Sequence, residues 1–117
     1  MDTRKQQMMA LLGSLVHVEV DRPIGYQHGD LRYPVNYGYI PGRMAGDGEE
    51  QDVYVLGVEE PRKTFTGRII GVVRRKDDNE DKLVAAPEDI RLTSRQILEK
   101  IHFVEKYFDS SVFSIYD

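Results

Sequence analysis

The sequence predicts a mainly β, α+β domain in which short strands close into a barrel and one α-helix follows near the C-terminus. Three observations carry this. Residues 15–20, "LVHVEV", alternate apolar and polar side chains, as a strand with one wet face does. β-Branched runs recur at 52–58, 67–75 and 82–87 between polar turns. Helical period appears only towards the C-terminus, where Ile97, Ile101, Val104 and Phe108 fall at i, i+4, i+7 and i+11.

A chain of 117 residues is read as one domain, residues 1–117, long enough to bury a core without disulfides. At its start, Arg4 and Lys5 precede the apolar stretch "MMALLGSLV", 8–16, which superficially resembles an export signal. The run is shorter than the roughly 20 residues that span a bilayer. No A-x-A site follows, and the run passes directly into the alternating strand, so a cytoplasmic protein with no membrane partner is expected.

"DRPIG" closes the first strand as a turn. The segment 25–42, "GYQHGDLRYPVNYGYIPG", mixes tyrosines with glycine and proline, giving short extended pieces and bends. The next three strands, "DVYVLGV", "GRIIGVVRR" and "KLVAAP", are expected to form an antiparallel meander. Thr93 and Gln96 have capping-box spacing ahead of a helix of about four turns. Closing the strands on themselves is the shortest way to hide their edges.

Sixteen Lys and Arg against twenty Asp and Glu give a formal charge of -4, which disfavours a nucleic-acid partner. Tyr33, Tyr37 and Tyr39 could stack bases, but acidic residues surround them. With no cysteine, any metal is held by oxygen or imidazole. His17, His28 and His102 form no paired ligand motif, and no glycine run matches a phosphate-binding loop.

The chemistry therefore centres on carboxylates. "GDGEEQDVYVLG", 46–57, places Asp47, Glu49, Glu50 and Asp52 at the mouth of a strand. A solvated turn is the ordinary explanation; an oxygen site for Mg²⁺ is the functional one, with Asp52 fixed by the sheet. A calcium EF-hand fails, because a loop starting at Asp47 has Asp52 sixth and Val58 twelfth. A second cluster, "RRKDDNEDK", 74–82, offers Asp77, Asp78, Glu80 and Asp81 between Arg75, Lys76 and Lys82. It reads either as a charged loop that keeps an edge soluble or as further metal ligands. If both clusters meet at one end of the barrel, divalent cations relieve their repulsion. Tyr33, Tyr37 and Tyr107 are candidates to donate hydrogen bonds to a small phosphate-containing substrate, unless they are packing residues.

Four stretches in order, "YPVNYGYI" (33–40), "DGEEQDV" (47–53), "DDNEDKLVAAP" (77–87) and "HFVEKYF" (102–108), resemble the soluble Mg²⁺-dependent inorganic pyrophosphatases. The resemblance runs from about Val18 to Phe108. It implies a five-stranded OB-like closed barrel with a C-terminal helix, self-association, and hydrolysis of pyrophosphate by water activated between metal ions. Mg²⁺ is the implied cofactor and Mn²⁺ an alternative. Carried over by position, Asp47 and Asp52 bind metal, and Asp77 with Glu80 or Asp81 binds more. Tyr37, Lys82 and Tyr107 contact phosphate, and Glu19 lines the same cavity.

This sequence departs from the family pattern at four places. Glu49 stands where the family has an aspartate near the attacking water, and its extra methylene moves the carboxylate by roughly 1.5 Å. The stretch between Val20 and Tyr33 is short and lacks the usual lysine, glutamate and arginine, leaving Arg22, His28 and Arg32 as replacements. Phe108 follows the helical tyrosine where a lysine is usual. The second acidic loop is shortened, which leaves Glu80 and Asp81 both open as the ligand. The alternative to hydrolysis of pyrophosphate is a barrel that binds a phosphate ligand without turnover, or acts on another phosphoanhydride.

Overall fold

The computed structural model describes residues 3–45, 48–76 and 80–117. Its elements in chain order are α1 (Thr3–Ala10), β1 (Leu15–Arg22), the short β2 (Gln27–His28) and β3 (Leu31–Arg32), β4 (Asn36–Met44), β5 (Glu50–Val55), β6 (Thr64–Arg75), β7 (Asp81–Ala86), α2 (Ser94–Glu105) and β8 (Ser110–Ser114).

Alternation along β1 is borne out: Val18 is fully buried, while His17 and Glu19 face outward and lie 3.2 Å apart. β1 pairs antiparallel with β4 on one side and β6 on the other, and the order β1-β4-β5-β7-β6 returns to β1, so five strands close a barrel. The expected meander is corrected in one respect. β5 pairs not with β6 but with β7, in parallel, from Val53↔Leu83 to Val55↔Ala85. β6 lies on the far side of β7 and carries the chain back between them. Parallel strands are covered on both faces and read as unbroken apolar runs, so pairing direction leaves little trace in such a sequence.

Two cores result. Val53, Val55, Leu83 and Ala85 point into the barrel with Val18, Phe65 and Ile69. Tyr54, Leu56, Val84 and Ala86 point outward beneath Ile97 and Ile101 of α2. The capping box of α2 is present: the Gln96 amide donates to Thr93 Oγ1 at 3.3 Å, and Gln96 Oε1 accepts from the Thr93 amide at 2.9 Å. The helix is shorter than expected, however, and its buried stripe continues through Glu105 rather than Val104 and Phe108.

Two elements have no counterpart in the sequence reading. α1 forms within the segment that looked like an export signal, because Met8 seats in the barrel interior with Met9, Leu11 and Leu12 around it. β8 adds antiparallel to β6, from Gly71↔Ser114 to Arg75↔Ser110. Among the described residues no helix is long and apolar enough to cross a membrane.

β1 and β4 approach so closely at Gly38 that a Cβ there would lie 1.9 Å from the Glu19 carbonyl oxygen. Gly38→Ala must push the two strands apart, and over-packing of this kind costs about 1–3 kcal/mol, occasionally more. The expected result is a lower urea midpoint with an unchanged m-value.

Candidate active site

Along β5 and β7, alternation sends Asp52 and Lys82 to the outer face, on the same side as Tyr54 and Val84. There they meet Asp21 and Arg22 from β1, Tyr33, Tyr37 from β4, Arg75 from β6, Glu80, and Val104 and Phe108 from the end of α2 and the turn after it. Together they line a cleft of about 330 Å³ between barrel and helix.

Lys82 organises one end. Its ammonium donates to Asp52 Oδ2 at 2.6 Å and to Glu80 Oε1 at 3.0 Å, although the residue is almost entirely buried. Charge-assisted contacts of this length offset the cost of burying the ammonium. The Tyr37 hydroxyl is hydrogen-bonded to Asp52, and its pKa is raised far above 10, first by burial and then by the Asp52 charge. It is therefore a protonated donor throughout the neutral range. Asp21, at the rim, has a raised pKa chiefly through desolvation, with the Asp52 charge adding to it.

Behind this end stands a second network. Arg75 donates to Glu105 through Nη2 at 2.6 Å and Nε at 3.0 Å, and reaches Glu80 at 3.4 Å. Glu105 also accepts from the Tyr54 hydroxyl and from Ser110 Oγ, both at 2.6 Å. Burial alone would raise the Glu105 pKa, but these donors and the Arg75 charge hold it below the ordinary range. The Arg75 guanidinium stacks on Phe108, 3.7 Å from the ring centroid.

The structure brings Tyr33, Tyr37, Asp52, Glu80 and Lys82 together. It separates others. Asp81, one residue from Lys82, lines cavities on the opposite side of the sheet with Met8 and Gln51. Glu49 is exposed in the turn before β5 and does not line the cleft. Tyr107 is 68% exposed, with Lys106 against its ring, because a one-residue step on this turn points it away from where Phe108 points. Glu19 contacts His17 instead of the cleft. Asp47, Asp77 and Asp78 lie outside the described residues. Sequence reasoning missed Asp21, Tyr54, Arg75 and Glu105 as a set. Glu105 was findable, since it continues the Ile97–Ile101 spacing by four more residues.

Asp21, Asp52 and Glu80 supply hard oxygen donors to one cleft, where the Asp52 charge adds to the rise in the Asp21 pKa that burial chiefly causes. The donor chemistry thus fits Mg²⁺-like ions. Among the described residues no three acidic or histidine side chains already form a cage, so ions there would also draw on water or substrate oxygens.

The family model for inorganic pyrophosphatase matches residues 3–112. The chain belongs to the inorganic pyrophosphatase family. Among its relatives in the family, the inorganic pyrophosphatase of Xylella fastidiosa (strain 9a5c) is 37% identical over 116 residues, covering 80% of this chain and 65% of that protein. The Helicobacter pylori (strain ATCC 700392 / 26695) inorganic pyrophosphatase is 32% identical over 106 residues, covering 77% and 60%. The chain therefore spans a little under two thirds of the length of these relatives. Its pyrophosphatase fold is shared with the crystal structure from Ehrlichia chaffeensis, at TM-score 0.69, 18% identity and coverage of 89% and 88%. The Coxiella burnetii structure matches at TM-score 0.64 and 20% identity, covering 89% and 85%. The closed five-stranded barrel with its C-terminal helix is thus the architecture of this family.

Proposed function

We propose that the chain hydrolyses inorganic pyrophosphate: water attacks one phosphorus, the bridging P–O bond breaks, and two phosphates and the water's proton are released. The observation that carries this reading is the cluster of Lys82 with Asp52 and Glu80, facing a cleft beside the Tyr37 hydroxyl. Asp52 and Glu80, with Asp47 and Asp77 by resemblance, hold Mg²⁺, or Mn²⁺ in its place. When bound, these ions lower the pKa of water and screen phosphate charge.

The chain's own residues do the rest. Asp52, fixed at the start of β5, keeps its carboxylate on the cleft wall. Lys82 has three donors and commits two of them to carboxylates, leaving the third for a phosphate oxygen. Tyr37, protonated at neutral pH, binds without adding charge. Glu80 is preferred to Asp81 as a ligand because it lines the cleft. Glu49 enters only as an exposed neighbour of the Asp52 strand, and Tyr107 only if a substrate extends past Phe108. The proposal extends to a cytoplasmic, self-associating enzyme, and exposed Phe113 and Ile115 offer apolar surface for that contact.

Phosphate release from pyrophosphate, measured with Mg²⁺, with Mn²⁺ and with chelator, tests the reading. Release with either metal and none with chelator is expected. Metal binding without release would favour the second reading, a barrel that holds a phosphate ligand without turnover, which the exposed position of Glu49 supports.

A further inference from the structure

The cations of the cleft differ in how they are held. Lys82 and Arg75 are both tied to carboxylates, Lys82 to Asp52 and Glu80 and Arg75 to Glu105 and Glu80. Arg22 is not. Its guanidinium donates through Nη1 to the Tyr33 hydroxyl at 2.5 Å and lies 5.6, 5.5 and 5.8 Å from the ring centroids of Tyr26, Tyr33 and Tyr37. The rings pack edge-on and tilted against one another. Among the described residues no carboxylate is found within ion-pair distance of the Arg22 side chain, and its neighbour Asp21 feels its charge along the chain.

An aromatic cage stabilises a cation without neutralising it, because ring faces carry partial rather than full negative charge. A guanidinium has five N–H groups; one goes to Tyr33, and the others remain for a planar, two-oxygen contact of the kind phosphate makes. Lys82 Nζ also lies 5.8 Å from the Tyr37 centroid, as the Arg22 guanidinium does, so both cations sit beside one ring of the cleft wall. Of the three replacements the sequence left open, His28 and Arg32 sit on the β2–β3 hairpin and do not line the cleft.

We propose that Arg22 is a substrate-binding residue that grips the second phosphoryl group of a diphosphate spanning Tyr37, while the first group lies at the Asp52–Glu80–Lys82 end. The inference rests on the hydrolase reading only for the identity of the ligand; the anchor itself needs a diphosphate to bind, not to be cleaved.

The test is calorimetric titration of the full chain with imidodiphosphate, a non-hydrolysable diphosphate, in Mg²⁺, for wild type, Arg22→Gln and Arg22→Lys. Steady-state pyrophosphate hydrolysis and urea unfolding are measured on the same proteins. Loss of a charge-assisted contact should weaken binding of the diphosphate by about 10- to 100-fold in Arg22→Gln. Arg22→Lys should recover part of the loss, since a lysine keeps the charge but not the fork. In hydrolysis, KM should rise more than kcat falls. Orthophosphate, too short to span Tyr37, should lose less than imidodiphosphate. Binding within twofold of wild type in a folded Arg22→Gln overturns the proposal, as does an equal loss for orthophosphate. If Arg22→Gln does not fold, wild-type affinity in Arg22→Lys at unchanged fork-dependent enthalpy overturns it, and a loss supports it. Arg22-dependent binding without turnover in wild type keeps this proposal and removes the hydrolase reading. Turnover with an unchanged KM in Arg22→Gln does the reverse.

Discussion

Asp52→Asn is expected to leave the barrel folded and to lower metal-dependent pyrophosphate hydrolysis by about 100-fold or more. Loss of an outer-shell partner at a metal site already costs about 10–100-fold, and Asp52 is proposed as a direct ligand. The substitution keeps the side-chain volume and removes the charge that Lys82 contacts at 2.6 Å, leaving Glu80 at 3.0 Å as its remaining carboxylate. Because Asp52 is partly exposed, the fold should tolerate the change, and the melting temperature should move little beside the loss of rate. Phosphate release and circular dichroism on the same preparation separate the two effects. Wild-type turnover in the variant would sink the role given to Asp52.

The largest stability effect is expected at Glu105. Its side chain is fully buried, Arg75 faces it at 6% exposure, and Tyr54 and Ser110 complete its hydrogen bonds. Removing one partner of such a pair leaves the other charge buried and uncompensated, which costs about 3–5 kcal/mol. Glu105→Ala should therefore unfold at markedly lower urea, whereas Glu105→Gln, which keeps the volume and one acceptor, should lose less. The pH dependence has a definite sign. The Glu105 pKa is lowered from its usual 4.5 in the folded protein, so the unfolded chain takes up the proton first. Its contribution is complete above about pH 4.5 and is lost as the pH falls below that value towards the folded pKa. A wild-type unfolding midpoint that falls no faster than that of Glu105→Gln across this acid range would contradict the assignment.

Much of this molecule is legible in its sequence where one residue type meets one local rule. The wet face of β1, the capping box at Thr93 and Gln96, and the strand at Asp52 all follow from period and spacing. What was not legible depends on partners distant in the chain. Nothing local says that Met8 plugs a barrel, so in the sequence α1 is only an apolar run before a strand. Nothing local says that β7 separates β5 from β6. At the site the same division holds: Asp52, Glu80, Lys82 and Tyr37, each singled out in the sequence, share one cleft. Tyr107 does not, because α2 ends at Glu105 and the turn after it presents Phe108 to the cleft. Glu105 was passed over because a carboxylate within an apolar helical stripe has no meaning until Arg75 is seen opposite it.

β6 is long enough, at 12 residues, to receive β1 along one part of an edge and β8 along the rest. The barrel proper thus has no open strand, and among the described strands of this sheet only β8 has a single neighbour. β8 is five residues long, has aspartates at 109 and 117 beyond its two ends, and gives one outward amide, that of Ser114, to the Asp117 carboxylate at 3.1 Å. A foreign strand seeking a template finds few free donors there and meets negative charge on both sides, which is how native sheets discourage amyloid-like growth. The C-terminal strand thereby protects the molecule against aggregation while its neighbouring face helps hold the cleft.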